Sequence, residues 1–202
     1  MKTFIPFFIL FLFLNPLIIS GQEIETVSGN PKLFKHAEKL YVTFDYSGLE
    51  VGKYGAEQAY IDYMKDDAEK RKKGTGDDWL KKWNAYRAGI YQPKFIELIN
   101  LHVNYGNIAC DTIRSAQNYE LNIHTTFMEP GFNKNAKRSP AKINVIATIS
   151  EINNPANRLI ISMTGVPGSE AFGSYSPDHR RIEEAYAKCG KELAKYLLKV
   201  IY

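Results

Sequence analysis

Motifs that announce chemistry are scarce in this chain. Cysteine occurs twice in 202 residues, at Cys110 and Cys189. Neither stands in a C-x-x-C pair or near histidines at zinc spacing, which excludes zinc ribbons and thioredoxin-type redox sites. The four histidines, His36, His102, His124 and His179, form no H-x-x-x-H or H-E-x-x-H pair. A metal site would have to be assembled by the fold from distant residues. No serine occupies a G-x-S-x-G elbow. The Gly-rich stretch after Pro167 runs into Ser176-Pro-Asp-His179 rather than Lys-Ser/Thr, so it is no phosphate-binding loop. An excess of one charge is also missing: 26 Lys and Arg against 22 Asp and Glu give +4. Nucleic acid is therefore not expected as a partner, because its binders concentrate many more cations on one face. No catalytic residue, cofactor or metal ligand is assigned from the sequence.

What the chain does have is an export signature. Met1-Lys2 is followed by Phe, Ile and Leu over residues 4–19, broken by Pro6, Asn15 and Pro16, and then by small Ser20 and Gly21. This is the layout of a secretory signal peptide over residues 1–21, with Gln22 first after cleavage. The rival reading, an uncleaved anchor, needs a longer apolar run than this one. No Cys stands at the junction to carry a lipid. The later sequence holds no run of membrane-spanning length, so a periplasmic or extracellular location without a stable span is expected. In that compartment Cys110 and Cys189 are free either to pair or to remain separate buried thiols, and the regular apolar spacing around Cys189 favours separate thiols.

Residues 22–202 have the 45% hydrophobic and 24% charged composition of one ordinary globular domain. Residues 22–37 are polar and aperiodic and are expected to be flexible. Tyr41-Val-Thr-Phe-Asp-Tyr46 alternates as a strand and ends at Ser47-Gly48. From Ala56, the residues Tyr60, Ile61, Met64 and Ala68 recur at helical spacing up to the basic run Lys70-Arg-Lys-Lys73. Asp77-Asp78 begin a second helix with Trp79, Leu80, Trp83 and Tyr86. A third follows Pro93. Aromatic rings crowded in this way can hold a sugar, but a stripe at helical spacing is the ordinary signature of core, and the sequence alone gives no carbohydrate site.

Alternation is clearest in the second half. Tyr119, Leu121, Ile123 and Phe127 are apolar, and Glu120, Asn122, His124 and Thr126 are polar, which predicts a strand with one buried and one wet face. Residues 133–140 read as a long basic loop. Two more strands, residues 143–149 and 158–166, complete an expected three-stranded antiparallel meander. Ser176 and Pro177 open a final helix whose stripe, including Ile182, Tyr186, Cys189, Leu193 and Leu197, is regular for about five turns. The predicted fold class is α+β, a two-layer arrangement in which an antiparallel sheet is covered by helices that include the last one.

Phe44-Asp-Tyr-Ser-Gly48, Glu129-Pro-Gly-Phe132 and Arg181-Ile-Glu-Glu-Ala-Tyr-Ala-Lys-Cys-Gly-Lys191, in this order of elements, resemble a group of small secreted proteins of unknown function from Bacteroidetes-type bacteria. More distantly the chain resembles the envelope α/β domains of the TolB amino-terminal domain and of the lipoproteins that activate penicillin-binding proteins. That resemblance implies contact with another envelope component as the function, without a lipobox Cys for tethering. It also makes Asp111-Thr112-Ile113 similar to the tripeptide O-glycosylated in exported proteins of such bacteria. Two classes of function follow. One is a non-enzymatic envelope protein, binding an envelope protein partner through the wet sheet face or residues 133–140. The other is a small hydrolase or ligand-binding enzyme with its site near His124 and Glu129, or with Glu120 and Glu129 as a carboxylate pair.

Overall fold

A computed structural model of the chain describes residues 21–103, 108–134, 137–169 and 177–202. The signal peptide, apart from Gly21, and the Ser176 cap lie outside the described residues. The strands are β1 (Glu23–Ser28), β2 (Lys39–Asp45), β3 (Glu50–Val51), β4 (Ala109–Asp111), β5 (Tyr119–Glu129), β6 (Phe132–Lys134), β7 (Lys137–Ser139), β8 (Lys142–Glu151) and β9 (Asn154–Pro167). The α-helices are α1 (Glu57–Arg71), α2 (Gly76–Tyr86), α3 (Gln92–Val103) and α4 (Asp178–Ile201).

The sheet is mixed rather than purely antiparallel. Its order is β1-β9-β8-β5-β2-β4, with β3 alongside β5. β5, β8 and β9 pair antiparallel, and so do β1 and β9. In contrast, β2 pairs parallel with both β5 and β4, and β3 runs parallel to β5. Parallel neighbours need a long crossover, and α1, α2 and α3 supply one between β2 and β4. The sequence could not announce this, because β4 and β3 are only three and two residues long.

Three expectations need correction. Residues 22–37 are not a loose leader throughout. Glu23–Ser28 is an edge strand that places Ile24 opposite Met163, and Phe34, in a short 3₁₀ turn, is buried edge-on against Tyr119 at 5.5 Å. Residues 133–140 are not one long loop, since Phe132–Lys134 and Lys137–Ser139 form a small hairpin. Phe127 does not continue the buried face of β5. The register slips between Thr125 and Phe127, so Thr125 stays inside and Met128 takes the next inward place. A single extra residue reverses the alternation beyond it.

Helix α4 lies on the sheet and against α3. Its Tyr186 hydroxyl meets Thr125 Oγ1 of β5 at 2.8 Å, Cys189 Sγ lies 3.7 Å from Met163 Sδ of β9, and the Tyr196 hydroxyl meets Thr26 Oγ1 of β1 at 2.9 Å. Leu193 and Leu197 are fully buried. On the other side Gly190 allows the α3 backbone so close that a Cβ there would stand 2.5 Å from the Phe95 carbonyl oxygen. No helix among the described residues is long and apolar enough to cross a membrane.

Candidate functional site

At the carboxyl-terminal end of β5 the elements part around a cleft of about 1090 Å³. Its walls come from α1, α2, the turn after β3, the turn after β5 and the first turn of α4. Helical spacing builds two of those walls. In α1, Tyr60, Met64, Asp67 and Arg71 follow one another at steps of four, three and four, which holds them on one stripe. In α2, Trp79, Trp83 and Tyr86 do the same, with Lys82 beside them. A short turn joins the helices, and Glu69 fastens it by accepting from the backbone N–H groups of Gly74 at 2.8 Å and Gly76 at 3.1 Å.

The rings form a connected set. Tyr54 lies 4.8 Å from Tyr63 and 5.3 Å from Tyr60, and Tyr60 lies 5.1 Å from Trp83 and 5.9 Å from Trp79. Trp79 is stacked on Trp83 at 5.6 Å and 14°. The inner members are core: Trp83 is 5% exposed and Tyr60 4%. At the mouth, Tyr63 is 50% exposed and Phe132 48%. The two readings of the aromatic stripe therefore divide by depth, with core at the bottom and open ring surface at the rim.

Trp83 is held in orientation from behind. Its indole N–H donates to Glu57 Oε1 at 2.6 Å, and Arg87 pairs with the same carboxylate while its guanidinium covers the Tyr46 ring at 4.3 Å. Arg87 opens the π-helical turn Arg87–Tyr91, which joins α2 to α3. Single π turns of this kind are frequent beside functional sites. The opposite wall is pinned by Arg181, which is 3% exposed. Its Nε donates to the Pro130 carbonyl and its Nη2 to the Gly131 carbonyl, each at 3.0 Å, and it pairs with Asp178. The turn itself requires glycine: Gly131 has φ +71°, and a Cβ would meet the Ser139 carbonyl oxygen at 2.5 Å. Glu129 Oε1 accepts from the Gly131 N–H at 3.0 Å.

The rim is charged with both signs. Asp67 pairs with Arg71 and Asp178 with Arg181. Lys53 lies over the Tyr54 ring at 5.3 Å. His179 stacks on Tyr86 at 4.4 Å, and its pKa is lowered, first by burial and then by neighbouring Arg180. Burial of Tyr60 pushes its phenol far above the ordinary range, so it stays protonated.

The structure separates the residues suggested by sequence. Glu129 lines the cleft. His124 does not: its Nε2 donates to the Ser47 carbonyl at 2.8 Å, with Asp45 at 3.9 Å, on the sheet face turned away from the helices. Five residue steps along the strand separate them by about 16 Å, too far to share a proton. Glu120 lies on the same polar face and accepts from Thr43 Oγ1 at 2.7 Å, and nine residue steps along the strand, about 30 Å, divide it from Glu129. Glycosidase carboxylates stand about 5–9.5 Å apart, so this pair is ruled out. Cys110 and Cys189 are separate, buried free thiols, and burial raises the Cys110 pKa to about 12. Asp111, Thr112 and Ile113 are exposed. Among the described residues no group of three or more His, Cys, Asp or Glu converges as metal ligands.

Sequence reasoning missed Tyr54, Tyr63, Trp79, Lys82 and Phe132 as a site. The one available signal was the aromatic density between residues 54 and 91. Compared with models of protein families, with characterised proteins and with solved structures, the chain matches none of them.

Proposed function

We propose that this is an exported, non-enzymatic binding protein of the cell envelope, and that it holds another envelope component in the aromatic cleft. The export half of the reading rests on the leader in residues 1–21 and on the family resemblance. The binding half rests on one observation: a cleft of about 1090 Å³ whose floor is a set of rings in mutual contact and whose mouth leaves Tyr63 and Phe132 open. Concave, largely preformed apolar sites with a few placed polar groups are where proteins take ligands. Large exposed aromatic surface is otherwise a liability in a secreted chain.

Several polar groups at the cleft already serve the protein. Arg181 and the Glu129 carboxylate hold the Pro130-Gly131 turn, and Glu57 and Arg87 hold Trp83. Such an arrangement makes a rigid receptacle.

Co-sedimentation with insoluble envelope preparations from the source cells tests the reading. The mature chain is expected to sediment with them, and a Tyr63→Ala/Phe132→Ala double variant of unchanged melting temperature is expected to remain in the supernatant. Equal sedimentation of both would remove the cleft from the function. Intact mass addresses export, since the secreted species should begin near Gln22.

A further inference from the structure

We infer that the ligand of the cleft is a saccharide chain, an inference that rests on the binding role proposed above. Three features of the site argue for this chemistry together, and each alone would fit other ligands.

The first is the ring surface. A pyranose has a face of C–H bonds carrying partial positive charge, which lies well on the negative face of an aromatic ring. Tyr54, Tyr63 and Trp79 offer several rings within 4.8 to 5.9 Å of their neighbours. The site thus offers stacking over an extended surface and not at one point.

The second is the rim. Sugar hydroxyls act as donors and acceptors at once, so a receptor for vicinal hydroxyls needs both kinds of partner at short intervals. Here carboxylates of Asp67, Glu129 and Asp178 and cations of Lys53, Arg71 and Lys82 line the same cleft, with Asp67 paired to Arg71 and Asp178 to Arg181. A purely apolar or planar aromatic ligand would strip water from these groups without replacing their hydrogen bonds, at a cost that disfavours it. An extended peptide would need a row of free backbone donors and acceptors. Two of the walls here, α1 and α2, present main-chain groups engaged within the helices, and only the short turns after β3 and β5 and the first turn of α4 offer others, which is not a continuous row.

The third is size. The volume of about 1090 Å³ stands just above the about 300–1,000 Å³ range of small-molecule sites. It suits several linked rings better than a single one.

Intrinsic tryptophan fluorescence provides the readout, because Trp79 and Trp83 both line the cleft. The probes are cellotetraose, xylotetraose and tetragalacturonate, all of which carry vicinal diols, with a peptide of alternating glycine and tyrosine as the competitor class. At least one tetrasaccharide should shift the emission saturably, and Tyr63→Ala should weaken its binding by about tenfold or more at an unchanged melting temperature. Lys82→Gln should weaken it severalfold. The glycine–tyrosine peptide should not compete.

The envelope preparations supply a second arm. Periodate, which cleaves vicinal diols, should abolish co-sedimentation, and protease treatment should leave it intact. If protease abolishes sedimentation and periodate does not, the saccharide inference is wrong while the binding role stands. If neither the tetrasaccharides nor the untreated preparations bind, both fall together.

Discussion

Replacing Gly190 with alanine puts a methyl group into the backbone of α3. The added Cβ would sit 2.5 Å from the Phe95 carbonyl oxygen, 3.1 Å from the Ile99 nitrogen and 3.3 Å from the Phe95 carbonyl carbon. All three are main-chain atoms of a helix, so no side-chain rotation relieves the overlap, and α3 and α4 must move apart. Overpacking of this kind costs about 1–3 kcal/mol. The substitution also removes a helical glycine, which returns up to about 1 kcal/mol. Because the obstacle is backbone, the net should be a loss of about 1–2 kcal/mol, or roughly 2–8 °C in melting temperature for a chain of this size. Gly89 serves as the control: it has no heavy atom within 4 Å of a built Cβ, so Gly89→Ala should be neutral or slightly stabilising. Urea unfolding followed by circular dichroism compares the two. If Gly190→Ala matches or exceeds the parent while Gly89→Ala behaves as expected, the close approach of the two helices is not what holds this layer together.

Other outcomes follow from the same geometry. Leu193→Ala should cost about 2–5 kcal/mol as a fully buried leucine, whereas Lys195→Ala, whose side chain is exposed and pairs with Glu192, should change stability by about 0.5 kcal/mol or less; equal small losses in denaturant melts would mean that α4 is not docked. His179 binds a proton less readily in the folded protein than at its ordinary 6.5, so the unfolded chain takes up more protons once the pH drops below that value. Stability should therefore fall as the pH drops through 6.5 toward the lowered native pKa and level off beneath it. His179→Phe should flatten that part of the profile, and an unchanged slope would assign it elsewhere. Both cysteines should resist a thiol-specific reagent in the native state and react together on unfolding, because burial raises their pKa and excludes the reagent; rapid native labelling would contradict their placement.

The sequence by itself determined the parts that depend on local period. The apolar stripe of α4 and the alternation of residues 143–149 specify which side chains face inward, because only one face of each element can be withdrawn from water. The polar face of β5 at Glu120, Asn122 and His124 was legible for the same reason. Tertiary structure decided what has no period. The parallel partners β3 and β4 are too short to show a pattern, and β1 is a strand because the edge of β9 offers backbone partners and Met163 a place for Ile24. The bulge after Thr125 depends on pairing with β8, which no local alternation records. The cleft belongs to this second group: helical spacing placed Tyr60, Trp79 and Trp83 on stripes, but whether a ring lies in the core or opens to solvent is set by how far α1, α2 and the Arg181-pinned turn stand apart. That distance is a property of packing between elements far apart in the chain, and burial of the same ring types at different depths follows from it.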